Sequence, residues 1–178
     1  MKLKSFIFLT GLLSLSLSCK LLDKLTQFNM EFDQEVTIPS STVINLPFTI
    51  DTEDTETNSE TTFEINDTRK DLVEEILLKQ IDLTITSPSN KDFDFLKSVS
   101  IYISADGLEE MKVAWLDDIS DNPGNSLDLN KTNEDLKDFI KKDEFKLRLN
   151  TTTDQVITNN YKINIHTVFK VDANILGI

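Results

Sequence analysis

The sequence predicts a mainly β fold, a two-sheet antiparallel β-sandwich of about eight strands with two short helical crossovers. Three observations carry this. Apolar residues recur at every second position through most of the chain, the period of a strand with one buried face. The strongest such run closes the chain: seven of the eight odd positions from 161 to 175 are apolar and six of the seven even ones are polar. Strands with one committed face need a covering layer, and a second sheet with the same need supplies it best. A single sheet carrying both helices on one face is the runner-up.

Phe28, Met30 and Phe32 alternate with Asn29, Glu31 and Asp33, which predicts the first strand. Ile44, Leu46, Phe48 and Ile50 repeat the pattern, and Pro39 and Pro47 place these strands at edges or ends. Residues 51–60 hold no apolar side chain and predict a solvated loop, with strand pattern resuming at Phe63 and Ile65. A short helix is predicted from Asp67 or Thr68, since Leu72, Val73, Ile76 and Leu77 fall on one helical face and Thr68 with Asp71 makes a capping pair. Ile81, Leu83 and Ile85 return to alternation, followed by Val99, Ile101 and Ile103. Ala105-Asp106-Gly107 then turns the chain towards Met111, Val113 and Trp115. Pro123 and Gly124 mark a turn inside the loop 117–125. A second helix is predicted over 132–142, capped by Thr132, with Leu136, Phe139 and Ile140 inward. Phe145, Leu147 and Leu149 form the penultimate strand. The final run would approach about 50 Å at about 3.3 Å per residue, so it is expected to bend or to pass between sheets.

Composition narrows the function classes. Charged residues make up 28% and hydrophobic ones 39%, a globular balance, and the net charge is −13. No basic patch offsets that charge, so nucleic acid is excluded as a partner. Gly107, Gly124 and Gly177 are the only glycines after residue 18, too few for a phosphate-cradling loop, which excludes nucleotide chemistry.

The chain begins MKLKSFIFLTGLLSLSLSC. Lys2 and Lys4 precede an apolar stretch from Phe6 to Leu17, too short to span a bilayer core of about 30 Å as a helix. Residues 1–18 are read as an export signal that is removed; loss of its two lysines takes the charge from −13 to −15. Cys19 is the only cysteine. Leu17-Ser18-Cys19 resembles the lipobox of bacterial lipoproteins, although the third position before the cysteine is Ser16 rather than Leu. With its Asn-, Lys-, Ile- and Asp-rich composition, the chain is similar to small lipoproteins of Bacteroidota-type cell envelopes. That resemblance implies acylation of Cys19 and a membrane anchor. Each buried methylene contributes about 0.8 kcal/mol, so two or three acyl chains hold a protein essentially permanently. Residues 19–26 are then a lipidated tether and 27–178 a single β-sandwich domain. Paired acids after the cysteine are missing from Lys20-Leu21-Leu22-Asp23, which points to the outer membrane, facing the periplasm.

Few residues suggest chemistry. His166 is the only histidine and lies on the polar side of the last strand; no Gly-x-Ser-x-Gly motif accompanies it, and zinc would need more His or Cys ligands. No catalytic residue is assigned, and a glycosidase-like acid pair cannot be picked out of 31 carboxylates. No metal ligand or cofactor is assigned either. Calcium is the one ion the acidic loops suit by chemistry, and neither loop has EF-hand spacing. Those loops supply candidate contact residues: Asp51, Glu53, Asp54 and Glu56 in one, and Asp117, Asp118 and Asp121 in the other. Tyr102 falls on the polar side of its strand and is a candidate partner anchor, whereas Trp115, in phase with Met111 and Val113, is expected in the core.

The resulting expectation is a non-catalytic binding or scaffolding protein, held to the envelope membrane by lipid and engaging another envelope protein. The alternative is a carrier of a small hydrophobic or lipidic ligand between the sheets. The acidic surface favours a partner that is neutral or basic where they meet.

Overall fold

A computed structural model describes residues 26–40 and 47–174. Their order is β1 (Gln27–Ile38), β2 (Pro47–Asp51), β3 (Thr55–Glu56), α1 (Ser59–Ile65), a 3-10 turn (Lys70–Leu72), β4 (Val73–Ser87), β5 (Leu96–Ser104), β6 (Met111–Leu116), β7 (Ser126–Asp128), β8 (Asn130–Lys131), α2 (Lys137–Ile140), β9 (Glu144–Thr153) and β10 (Tyr161–Ala173). The strands form two antiparallel sheets, β1-β10-β4-β7 and β2-β9-β5-β6-β8, with β3 added on β9. This is the expected β-sandwich. Its two inner faces share one core, in which Phe32 of β1, Phe145 of β9 and Phe169 of β10 meet edge to face at 5.2–6.0 Å between ring centres. Cys19, Ile44, Leu46 and Ile175 lie outside the described residues.

β10 keeps its odd-numbered side chains buried along its whole described length, and Thr167, the polar exception, is buried too with its hydroxyl donating to the Phe32 carbonyl. The strand neither bends out of its sheet nor crosses to the other. It stays between β1 and β4 throughout, and the irregularity falls on its neighbour.

β4 corrects the first helix expectation. Its register against β10 slips three times, leaving Glu74, Lys79 and Thr86 as extra residues. The bulges at Glu74 and Lys79 each turn a spacing of two into three, so the inward residues run Val73, Ile76, Leu78, Ile81, Leu83 and Ile85, and the one at Thr86 follows the last of them. The 73-to-76 step imitates one helical turn. Only Lys70–Leu72 are helical there, as a 3-10 turn.

The residues expected as loop and strand over 51–65 are also ordered differently. Asp51 ends β2, Thr55 and Glu56 form β3, and Phe63 and Ile65 belong to α1, where Phe63 is fully buried and Ile65 is 77% exposed. A run without apolar side chains still packs because its hydroxyls are bonded. Thr52 Oγ1 accepts from the Leu147 amide, while the Thr57 hydroxyl donates to the Lys142 carbonyl at 2.6 Å. Both threonines and Ser59 are buried.

The second expected helix shrinks from 132–142 to α2. Leu136, Phe139 and Ile140 are buried as foreseen. Thr132 makes a local turn, its hydroxyl oxygen accepting from the Glu134 amide. The start of α2 is organised by Asp135, whose Oδ1 accepts from the Lys137 amide and also from Ile76 of β4, both at 3.0 Å. That second bond ties the segment to the sheet before a longer helix can begin.

Candidate functional site: the outer face of the six-stranded sheet

β6 carries the irregularity that builds the site. Ile101 of β5 pairs with Ala114 and Tyr102 pairs with Lys112, so Val113 is an extra residue between them. Both Val113 and Ala114 are buried, and the inward phase shifts from odd to even. Trp115 therefore leaves the core, contrary to the sequence expectation. It lies half-buried opposite Ser100 of β5 and Asn130 of β8, on the solvent side of the sheet.

Tyr102 shares that face, as its polar-side position in the sequence implied. Its neighbours across the sheet are Lys112 on β6 and Arg148 on β9, and Asp51 on β2 lies beyond Arg148 in the same row. The Arg148 guanidinium lies 4.4 Å from the Tyr102 ring centre, and the Lys112 ammonium 5.2 Å from the Trp115 ring. Glu110 grips Arg148 with both carboxylate oxygens, at 2.6 Å for the Nε donor. That bond from Arg148 holds the Glu110 carboxyl below the usual carboxylate range, against a smaller opposing effect of burial, and raises the guanidinium in turn. The result is a braced patch in which aromatic rings are flanked by cations and surrounded by Ser100, Asn150 and Asn130.

The acidic loop residues are not brought together. β5 runs from Leu96 to Ser104, and the loop after β6 bonds near its start, the Ile119 amide donating to the Lys97 carbonyl. The loop after β2 lies towards the other end, with Thr52 bonded to Leu147 and Asp54 paired with Lys146, which faces Ser104. Asp117, Asp118 and Asp121 are thus separated from Asp51, Glu53, Asp54 and Glu56 by the length of a strand. All seven are exposed, and Glu56 faces Glu144 across β3. Among the described residues no three His, Cys, Asp or Glu side chains are grouped to hold a metal ion. His166 sits on the outer face of the other sheet, its Nδ1 3.0 Å from Asp33 Oδ1, which also accepts from Asn164 at 2.8 Å. The Asn164 bond chiefly, with His166, lowers the Asp33 carboxyl.

Trp115, Arg148, Lys112 and Glu110 escaped the sequence reading. Arg148 was legible only as a polar-side residue of a strand, and Trp115 was hidden by a bulge that leaves no local signal.

No protein family model matches the chain, and no curated protein does. Among solved structures it is similar to the carbohydrate-binding module CBM32-3 of a family 31 glycoside hydrolase from Clostridium perfringens, at 12% identity and TM-score 0.34 over 79% of this chain and 75% of that one. It is similar to FLHE at 8% identity and TM-score 0.36, over 83% and 98% of the two chains. The turnip yellow mosaic virus empty-head structure gives 11% identity and TM-score 0.30, over 83% and 80%. At such identities and scores these likenesses inform neither ligand nor partner.

Proposed function

We propose that this is a non-catalytic, lipid-anchored binding protein of a bacterial cell envelope, which holds a partner protein against the outer face of its six-stranded sheet. One observation carries the reading. The chain has one Trp, two Tyr and two Arg, and that single face gathers Trp115, Tyr102 and Arg148. Trp, Tyr and Arg are the residues in which binding energy concentrates at protein interfaces. Here Glu110 fixes Arg148 over the Tyr102 ring and Lys112 lies over Trp115, so part of the side-chain freedom is already lost before binding. The aromatic packing of Phe32, Phe145 and Phe169 between the sheets favours a surface partner over cargo carried inside.

The anchor reading rests on Leu17-Ser18-Cys19 and the apolar stretch before it. It positions the domain at the outer membrane, facing the periplasm. The test is crosslinking of the full-length lipidated protein in its own envelope, followed by mass spectrometry. A near-stoichiometric envelope protein, lost when Tyr102→Ala and Trp115→Ala are combined, is the expected result. Recovery of the bait alone, or capture indifferent to both substitutions, overturns it.

A further inference from the structure

Two large apolar side chains are exposed among the described residues, Ile65 at 77% and Val156 at 49%, and they lie at opposite ends of the sandwich. Val156 falls between β9 and β10, where Tyr161 starts β10 opposite Ile38. Ile65 ends α1, at the other end of that strand. There the Phe63 ring meets Phe28 edge to face at 6.1 Å, and the Thr68 hydroxyl donates to the Asn174 carbonyl at 2.6 Å. The Ala173 amide, one residue earlier, donates to the Thr26 carbonyl at 3.1 Å. From Tyr161 to Ala173 β10 spans about 40 Å, at about 3.3 Å per residue.

The exposure of Ile65 follows from its helix. Phe63 is fully buried, and a side chain two positions later is turned about 200° round the axis, away from the core. Lone apolar side chains are common on protein surfaces, so it is the position of Ile65 that gives it meaning. The described fold begins at Thr26, and Cys19 lies seven residues before it. Seven residues reach at most about 25 Å, so a lipid on Cys19 keeps the α1 end of the sandwich close to the bilayer surface. The Val156 end can stand a strand length farther away.

Opposite charge does not supply a contact there. Glu64 and Asp67 stand on either side of Ile65 in sequence, and Arg69 is paired with Asp71 at 2.7 Å. Apolar burial is what this end offers a membrane, and the tether makes a small burial sufficient. Contacts within one tethered molecule act at a high effective concentration, so one too weak to recruit a free protein still holds an anchored one. Resting on the acylation of Cys19 proposed above, we propose that the α1 end of the sandwich docks on the bilayer that anchors it, with Ile65 inserted into the lipid interface.

The test uses Cys19 itself: once acylated, it leaves an introduced cysteine as the only free thiol. Ile65→Cys and Val156→Cys, both exposed changes, are each labelled with a nitrobenzoxadiazole dye in the full lipidated chain. The proteins are reconstituted into vesicles of phosphatidylethanolamine and phosphatidylcholine, with and without doxyl-labelled lipid. The dye at 65 should emit to the blue of the dye at 156 and be quenched by doxyl lipid about threefold more strongly. Equal quenching at the two positions overturns the docking. So does a blue shift at 65 that doxyl lipid fails to quench, because protein then covers that position, whether residues 175–178 or a second copy. The mass of each protein separates the two readings. An unacylated Cys19 overturns the anchor and the docking together, whereas an acylated Cys19 with equal quenching overturns the docking alone.

Discussion

Arg148 is held from two sides: its guanidinium lies over the Tyr102 ring at 4.4 Å while Glu110 takes its Nε–H at 2.6 Å. Only a planar, forked cation makes both contacts at once. Arg148→Lys preserves the charge and loses the fork, so the substitution should cost about 1 kcal/mol in urea unfolding. A cost no larger than that of Lys170→Arg would show that the stacking is idle.

Glu110 predicts an acid dependence. Its carboxyl is held below the ordinary value near 4.5 by the Arg148 hydrogen bond, so the native state favours the ionised form. That contribution is complete above the unfolded value and disappears as pH falls through the lowered native one. Both side chains are partly exposed, which limits the effect to about 1 kcal/mol or less. Between pH 6 and pH 3 the wild-type chain should lose more stability than Glu110→Gln; parallel curves would contradict the pairing.

The single Trp reports on the β6 bulge. A core Trp truncated to Ala costs about 3–5 kcal/mol, but Trp115 lies outside the core and its replacement by Ala should cost about 1 kcal/mol. Its fluorescence should be readily quenched by acrylamide in the native state. Ala114→Leu, at a position with no exposed surface opposite Ile101, should cost more than Trp115→Ala, about 1–3 kcal/mol from overpacking.

Phe169 links the sheets, touching Phe32 within its own sheet and Phe145 across the core. Phe169→Ala should lower stability by about 3–5 kcal/mol, read as the urea midpoint, whereas the same change at half-buried Phe28 should cost visibly less. Equal costs would mean that neither the deeper burial of Phe169 nor its place in the three-ring cluster adds stability.

Where the strand pattern is unbroken, the local sequence was enough. β10 keeps period two against both neighbours, so its buried side chains could be named in advance, and the same holds for Phe145, Leu147 and Leu149 of β9. Leu136, Phe139 and Ile140 were legible as an inward group even though their helix is a single turn. The reading failed at β4 and β6, and for one reason. A bulge is an extra residue relative to a partner strand, and the partner is not adjacent in the chain. Val73 and Ile76 alone look helical; against Ala173 and Val171 they are two steps of a bulged ladder.

The binding features divide the same way. Tyr102 could be assigned to the solvent side because alternation on β5 fixes which face each residue takes. That Arg148 stacks on it and that Trp115 joins it were decided by register and by sheet packing. Sequence by itself determined the fold class, the excess of negative charge and the identity of most core positions, since these follow from composition and short-range periodicity. The tertiary structure decided which polar and aromatic side chains meet, because those contacts join strands distant in the chain, and one inserted residue turns every later side chain to the opposite face.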